Sequence, residues 1–219
     1  DYVKALALYR QLVDSFVKGE TRFYDQAKNA ITRISEPSLG VHVSNIFLPL
    51  SEIQFNVNWR NLEKIDFALY PVDLNRDVDL VDPDKNARAW LSTINLDGKK
   101  KQGSWSKDTE DKGKHIPSSD PIRLDDKLPP GAYVLEARAK NISARDLVLV
   151  SDATLVTKSS ETKTIAYFCN ALDGSPIAGA GVRFHVRVHD GDKWRWRDVN
   201  QQTGKDGIAI LEIPDSPSH

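Results

Sequence analysis

The chain contains no methionine and one cysteine in 219 residues. A single cysteine rules out an internal disulfide framework. A surplus of charge of either sign is also lacking. Thirty Lys and Arg stand against 31 Asp and Glu, for a net charge of −1. Nucleic-acid recognition rests on a basic surplus, so no nucleic-acid partner is expected. No apolar run approaches the roughly 18 residues of a membrane helix. Neither a glycine-rich phosphate loop nor a Gly-x-Ser-x-Gly elbow is present, which removes two common signatures of phosphate binding and acyl transfer. The chain opens on Asp1 without an initiator methionine or a secretory leader. It therefore reads as a piece of a longer protein, with any membrane anchor upstream.

What is present suits a globular fold. Hydrophobic residues make up 40% and charged residues 28%, enough for one or two cores. Residues 1–36 carry the helical period. Val3, Leu6, Tyr9, Val13 and Phe16 form one stripe, and Phe23, Ala27, Ala30, Ile31 and Ile34 form another. Gly19 and Thr21 lie between them as stop and start signals, and Pro37 ends the second helix. From Leu39 the period changes to two. Ile53, Phe55, Val57 and Trp59 alternate with Glu52, Gln54, Asn56 and Asn58, the pattern of a half-buried strand. Ile65, Phe67 and Leu69 repeat it, and Leu124, Tyr133, Leu135, Ala137 and Leu147–Val150 complete a sandwich core.

These patterns predict a mainly β fold. It consists of tandem immunoglobulin- or fibronectin-like antiparallel β-sandwiches, the second incomplete, behind an N-terminal α-hairpin. The expected divisions are 1–36, 37–152 and 153–219, with a helix and loop inserted at about 73–119. Within the insertion, Asn86–Leu96 reads as an amphipathic helix. Residues 97–119 read as a long surface loop, because only Trp105 and Ile116 are large and apolar there. At 153–219 the chain is short for a sandwich, which predicts an unpaired sheet edge.

Candidate chemistry is sparse. His185 and His189 sit four apart on a strand, about 13 Å at 3.3 Å per residue. That is too far to share a metal. Asp73-x-Asn75-x-Asp77-x-Asp79 starts like a calcium loop, but Val78 and Asp84 replace the glycine and glutamate that such a loop needs. Cys169 lies in an apolar strand, Thr164–Asn170, and reads as a small buried hydrophobe. His42, His115 and His219 have no local partner of catalytic type. No catalysis, metal or cofactor is expected. The candidate ligand or partner contacts are Trp105, Trp194 and Trp196. Trp105 either docks on the sandwich or awaits a partner, and docking is the expectation. Trp194 and Trp196 alternate with Arg195 and Arg197. The pair either packs inside the second sandwich, the expectation, or forms a stacking platform for a ligand.

Several motifs resemble a known family. Leu128-Pro129-Pro130-Gly131-Ala132-Tyr133-Val134-Leu135-Glu136-Ala137-Arg138 is similar to the end of a macroglobulin domain of bacterial alpha-2-macroglobulins. Arg145–Asp152 followed by Leu155–Lys158 is similar to the junction into their next domain. Asp173-Gly174-x-Pro176, Ala180-x-Val182 and Thr203-x-x-Asp206-Gly207-x-Ala209 resemble that next domain. Val43-x-Asn45-x-Phe47-Leu48-Pro49 and Phe55-x-Val57-x-Trp59-Arg60-Asn61-Leu62 resemble the opening of the first. Ala5-x-x-x-Tyr9 with Ala27 and Ala30 resembles a tetratricopeptide-like hairpin. The resemblance implies a non-catalytic scaffold piece of an extracytoplasmic protease inhibitor that traps proteases. It implies as partners the other domains of the full-length protein and, in that context, proteases. The family's thioester is not carried over, because Cys169 is followed by Asn170-Ala171-Leu172. The alternative is a cell-surface adhesion or carbohydrate-binding sandwich built on the tryptophans.

Overall fold

The computed structural model describes residues 1–44, 46–78, 90–111, 113–124, 127–190 and 193–212. Two helices come first, α1 (Tyr2–Ser15) and α2 (Tyr24–Ser35). The Asp1 carboxylate caps α1, accepting from the N–H groups of Val3 and Lys4 at 3.1 and 3.2 Å. The helices pack through Leu6, Ala27, Ala30 and Ile34, while Val3, Tyr9 and Phe16 of the expected stripe stay exposed. α2 is tied to the sandwich by Asn61, which turns the chain in left-handed conformation at φ 58°. Its side-chain N–H groups donate to the carbonyls of Ile34 and Glu36 at 2.8 and 2.9 Å. Its oxygen lies 2.8 Å from His115 Nδ1. With both amide hydrogens spent on carbonyls, that oxygen can only accept, so His115 carries its hydrogen on Nδ1.

Two sheets then face each other. One contains β1 (Ser38–His42), β3 (Ile53–Arg60) and β6 (Ser118–Leu124), in the order β1-β3-β6. The other contains β2 (Ile46–Phe47), β4 (Lys64–Val72), β5 (Gly103–Asp108), β7 (Gly131–Ala139) and β8 (Ile142–Val150), in the order β2-β8-β7-β4-β5. The chain switches sheets between β1 and β2. One consequence is that Ile46 and Phe47 pair in parallel with Leu149 and Val150, a departure from the antiparallel expectation. The core between the sheets is the alternating set from the sequence: Ile53, Phe55, Val57, Trp59, Ile65, Phe67, Leu69, Tyr133, Leu135, Ala137, Val148 and Val150.

The segment 97–119 corrects the expectation of a long loop. It contains β5 and the start of β6, with the register Phe67↔Trp105 and Trp59↔Ser118. Ser104, Ser106 and Asp108 supply the solvent face of β5, and Trp105 is the one large apolar residue on its inner face, so hydrophobic content alone conceals it. The helix expected over Asn86–Leu96 is reduced, among the described residues, to α3 (Trp90–Thr93). Ala87 lies outside them. Leu91, Ile94 and Leu96 still bury together, against Ala68, Tyr70 and Val134 on the outer face of the five-stranded sheet. Both faces of β4 and β7 are thereby covered.

β8 passes into β9 (Ala153–Ser159) through Ser151 and Asp152. The Ser151 hydroxyl accepts from Ala153 N at 3.1 Å and donates to Ala153 O at 2.8 Å. Ser151 N donates to Phe47 O, and Ala171 N to Asp152 O, each at 2.8 Å. The second unit holds a sheet of β9, β10 (Lys163–Asn170) and β13 (Ile208–Glu212), ordered β13-β10-β9, and a ribbon of β11 (Gly181–Asp190) with β12 (Lys193–Gln202). Ile213, expected in the last strand, lies outside the described residues. The edge strands of the three-stranded sheet carry exposed Leu155, Val156 and Ile210. The motif residues resembling the family pin its turns. Thr203 Oγ1 is buried between Ile177 O at 2.7 Å and Ala180 N at 2.9 Å. Gly207 sits at φ 72°, where a Cβ would lie 2.6 Å from Phe168 O.

Candidate functional site

Trp105 is partly buried and packs against the core of the first sandwich. Its ring stacks on Phe67 at 5.4 Å and 8°, and tilts against Phe55 at 6.2 Å. Its indole N–H is buried without a hydrogen-bond partner. β5 brings it there by pairing with β4, so Trp105 docks on the sandwich as expected.

Trp194 and Trp196 lie elsewhere, and not inside a sandwich. They are 44% and 39% exposed. The cause is register. Asp190 pairs with Lys193, so Trp194 stands opposite His189, Trp196 opposite Arg187, and Asp198 opposite His185. Directly opposed residues share a face. The tryptophans therefore stand with the arginines and histidines of β11, not with Val182, Phe184, Val186 and Val188. Arg195 and Arg197 take the valine face instead. That face looks toward the rest of the unit, where Arg197, Val199 and Gln201 border a cavity of about 410 Å³ with Ile210 and Leu211. On the outer face the Arg187 guanidinium lies 4.3 Å from the centre of the Trp194 ring. The His189 ring meets Trp194 edge-on at 5.0 Å. His185 Nδ1 and Asp198 Oδ1 are 2.7 Å apart. His185 and His189 thus have separate partners.

A second arrangement was not visible in the sequence. On the outer face of the five-stranded sheet, Glu136 is 2% exposed. Its carboxylate accepts from Arg138 Nε at 2.6 Å and Arg145 Nε at 2.8 Å. Burial pushes its pKa up, and the bonds from Arg138 and then Arg145 outweigh burial, so the net direction is down. Arg145 also donates to Ile94 O at 2.9 Å, clasping the covering segment. Nearby, His42, Ser92, Ser143 and Asp146 border a cavity of about 350 Å³. His42 Nδ1 is 3.6 Å from Asp146, whose oxygens instead accept the N–H groups of Val43 and Leu147 at 2.8 and 2.9 Å. Asp146 anchors β1 to β8 and does not orient an imidazole.

The acidic turn is likewise committed. Asp73 accepts from Asn75 N and Arg76 Nε, and Asp77 accepts from Lys99 Nζ and Asp73 N. The backbone bond from Asn75 lowers the pKa of Asp73, and the bond from Lys99 lowers that of Asp77. Asp79, Asp82 and Asp84 lie outside the described residues, as does His219. Among the described residues no group of three His, Cys, Asp or Glu is placed to hold a metal. Cys169 is buried, bridged to Pro176 through the backbone.

No protein-family model matches the sequence, and no curated protein matches it. Solved structures do resemble the fold. Native alpha-2-macroglobulin from Escherichia coli, over domains MG0-NIE-MG1, aligns at a TM-score of 0.55 and 14% identity, covering 82% of this chain and 58% of that one. The NIE-MG1 portion of the same protein aligns at 0.48 and 12%, covering 83% and 89%. The elastase-activated protein aligns at 0.33 and 10%, covering 81% and 19%. The chain thus spans a little over half of the first structure, and at such identities the likeness is one of fold.

Proposed function

We infer that this chain is a non-catalytic scaffold segment of an alpha-2-macroglobulin-like protease inhibitor that works outside the cytoplasm. The observation that carries this reading is the joint at Ser151 and Asp152, where one sandwich runs into the next unit without a loop and four hydrogen bonds fix the step. A joint of this kind passes a rigid-body movement from one unit to the next, where a flexible linker would absorb it. The macroglobulin-like fold and the turn geometry of Gly174, Thr203 and Gly207 agree with it. Among the described residues no helix is long and apolar enough to cross a membrane.

In this role the units form part of a cage wall, and a cleavage elsewhere in the full-length protein is read out as their displacement. The test is to incubate the full-length protein with a protease. A trap lowers digestion of a large protein substrate and leaves cleavage of a small chromogenic peptide intact, because a cage excludes by size. Unchanged digestion of the large substrate would end this reading. The exposure of Trp194 and Trp196 favours a second one, a carbohydrate-binding or adhesion sandwich.

A further inference from the structure

The ribbon forms a sheet of only two strands, β11 and β12. A sheet of two strands is at best marginal in water until a third strand or a covering element joins it. β12 has β13 beside it, across the cavity that Arg197, Val199 and Gln201 border with Ile210 and Leu211. β11 pairs with β12 alone among the described residues, so its other edge has no strand against it. That edge is ten residues long. Proline and bulges, which close an edge to any partner, are both absent: pairing with β12 runs one to one from Gly181↔Gln202 to Asp190↔Lys193. On one face Val182, Phe184, Val186 and Val188 are only half-buried, so a further strand would cover them. The other face carries Arg183, His185, Arg187 and His189, a row without a carboxylate. The outer edge of β9 is also open, but it is seven residues long and carries exposed Lys158.

We propose that the β11 edge receives an extended segment of a separate polypeptide, added as a third strand, in which acidic residues alternate with apolar ones. Main-chain hydrogen bonds hold such a strand, and its alternate side chains decide which sequence fits. Three observations select this occupant. Every described strand of this chain already has its place in a sheet, so the added strand comes from elsewhere. A second copy of β11 fits poorly. Antiparallel self-pairing that keeps the valine rows on one face sets odd-numbered residues against odd-numbered ones, hence Arg and His against Arg and His, and like charges directly opposite are destabilising. The third observation is Arg183. It stands opposite Asn200, and among the described residues no carboxylate pairs with it. An acidic side chain beside Arg183 would supply that charge, and apolar neighbours on the incoming strand would extend the valine face. The other contacts of the ribbon stay as they are. Arg187 and His189 remain on Trp194, and His185 remains on Asp198.

This interaction goes beyond the scaffold and carbohydrate readings and depends on neither. The probe is a labelled, end-capped peptide of about eight residues alternating Glu and Val, the length of a typical strand. A Lys and Val peptide of the same length, and the Glu and Val peptide with two central valines replaced by proline, serve as comparators. Binding to the whole chain and to the full-length protein is read by fluorescence anisotropy, and its place by hydrogen exchange. The expected result is saturable binding of the Glu and Val peptide alone, with new protection confined to β11. Arg183→Glu should weaken that peptide about five-fold or more and turn the preference toward the Lys and Val peptide. A folding defect would not produce such an exchange of preference, and far-UV circular dichroism establishes that the variant is folded. Equal binding of the proline peptide means that no strand is added and overturns the proposal. Equal binding of the Lys and Val peptide, or an unchanged preference in Arg183→Glu, overturns the acidic assignment. Protection at β9 instead of β11 places the partner on the wrong edge. Self-association of the chain that protects β11 makes a second copy the occupant. Binding by the chain but not by the full-length protein means that the longer protein closes this edge itself. Each of these results, like no binding at all, overturns the proposal.

Discussion

Glu136 offers a sharp test of how the first sandwich holds its outer cover. Replacing it with alanine leaves Arg145 beside a void on a covered face, with its guanidinium side chain only 18% exposed. Removing one member of a buried ion pair costs about 3–5 kcal/mol, because the surviving charge remains desolvated. Arg138 is also bonded to Glu136, but its side chain is 61% exposed. Water can take over its solvation, so its share is about 1 kcal/mol or less. The expected ranking in urea unfolding is therefore Glu136→Ala and Arg145→Ala close together, with Arg138→Ala well behind. Replacing Glu136 and Arg145 together with methionine should recover much of the loss, as hydrophobic isosteres of buried pairs do. The pH dependence has a definite sign. The folded carboxyl titrates below its ordinary value of about 4.3. Its stabilisation is therefore present above that value and fades as pH falls through the lowered one. The deficit of Glu136→Gln should accordingly be full at neutral pH and shrink in acid. The assay pairs denaturant melts at several pH values with hydrogen exchange at Leu91–Leu96, the strip that Arg145 clasps. A Glu136→Ala loss below about 1 kcal/mol, or a deficit that grows in acid, would refute the argument.

Other consequences follow from single contacts. Asn61→Ala removes two hydrogen bonds to the end of α2, worth about 2 kcal/mol together. Limited proteolysis should then cut near Glu36 and Pro37 sooner than in the parent chain, with the sandwich itself intact. Gly207→Ala places a Cβ 2.6 Å from Phe168 O at a positive φ. It should destabilise the second unit by about 1–3 kcal/mol, and a thermal melt monitored at the ribbon tryptophans would register it. Trp105→Ala, at a partly buried ring packed on Phe67 and Phe55, should cost about 2–3 kcal/mol, whereas Trp196→Ala should change stability by about 0.5 kcal/mol or less. Equal losses in denaturant melts would mean that the two rings have been assigned to the wrong environments.

The alternating core was readable because one period accounts for it. Every second residue from Ile53 to Trp59 is buried, and those between are exposed. What escaped notice came from contacts distant in the chain. Ala68, Tyr70, Val134 and Glu136 look like the solvent side of β4 and β7. They are buried only because residues 90–96 fold back over them. No local pattern reports a cover supplied from elsewhere. β5 escaped because a strand with one apolar residue carries almost no hydrophobic signal. Its period was nonetheless present, with Trp105 and Lys107 turned in and Ser104, Ser106 and Asp108 turned out.

The ribbon is a different case, since its register was available in the sequence and decides the reading of the tryptophans. Two residues separate the paired Asp190 and Lys193, and the span of a hairpin connection fixes the pairing along both strands. Odd-numbered residues of β11 therefore oppose even-numbered residues of β12. Alternation within β12 alone permits either side for Trp194 and Trp196; alternation combined with that connection permits only the side of His189 and Arg187. One residue inserted between Lys193 and Trp194, with Asp190 and Lys193 still paired, would move both tryptophans to the valine side and Arg195 and Arg197 to the outer one. Such an insertion therefore separates position from composition. The ribbon tryptophans of that variant should become less accessible to iodide quenching than in the parent chain, where they are 44% and 39% exposed. Unchanged quenching in that variant would refute this account of the register.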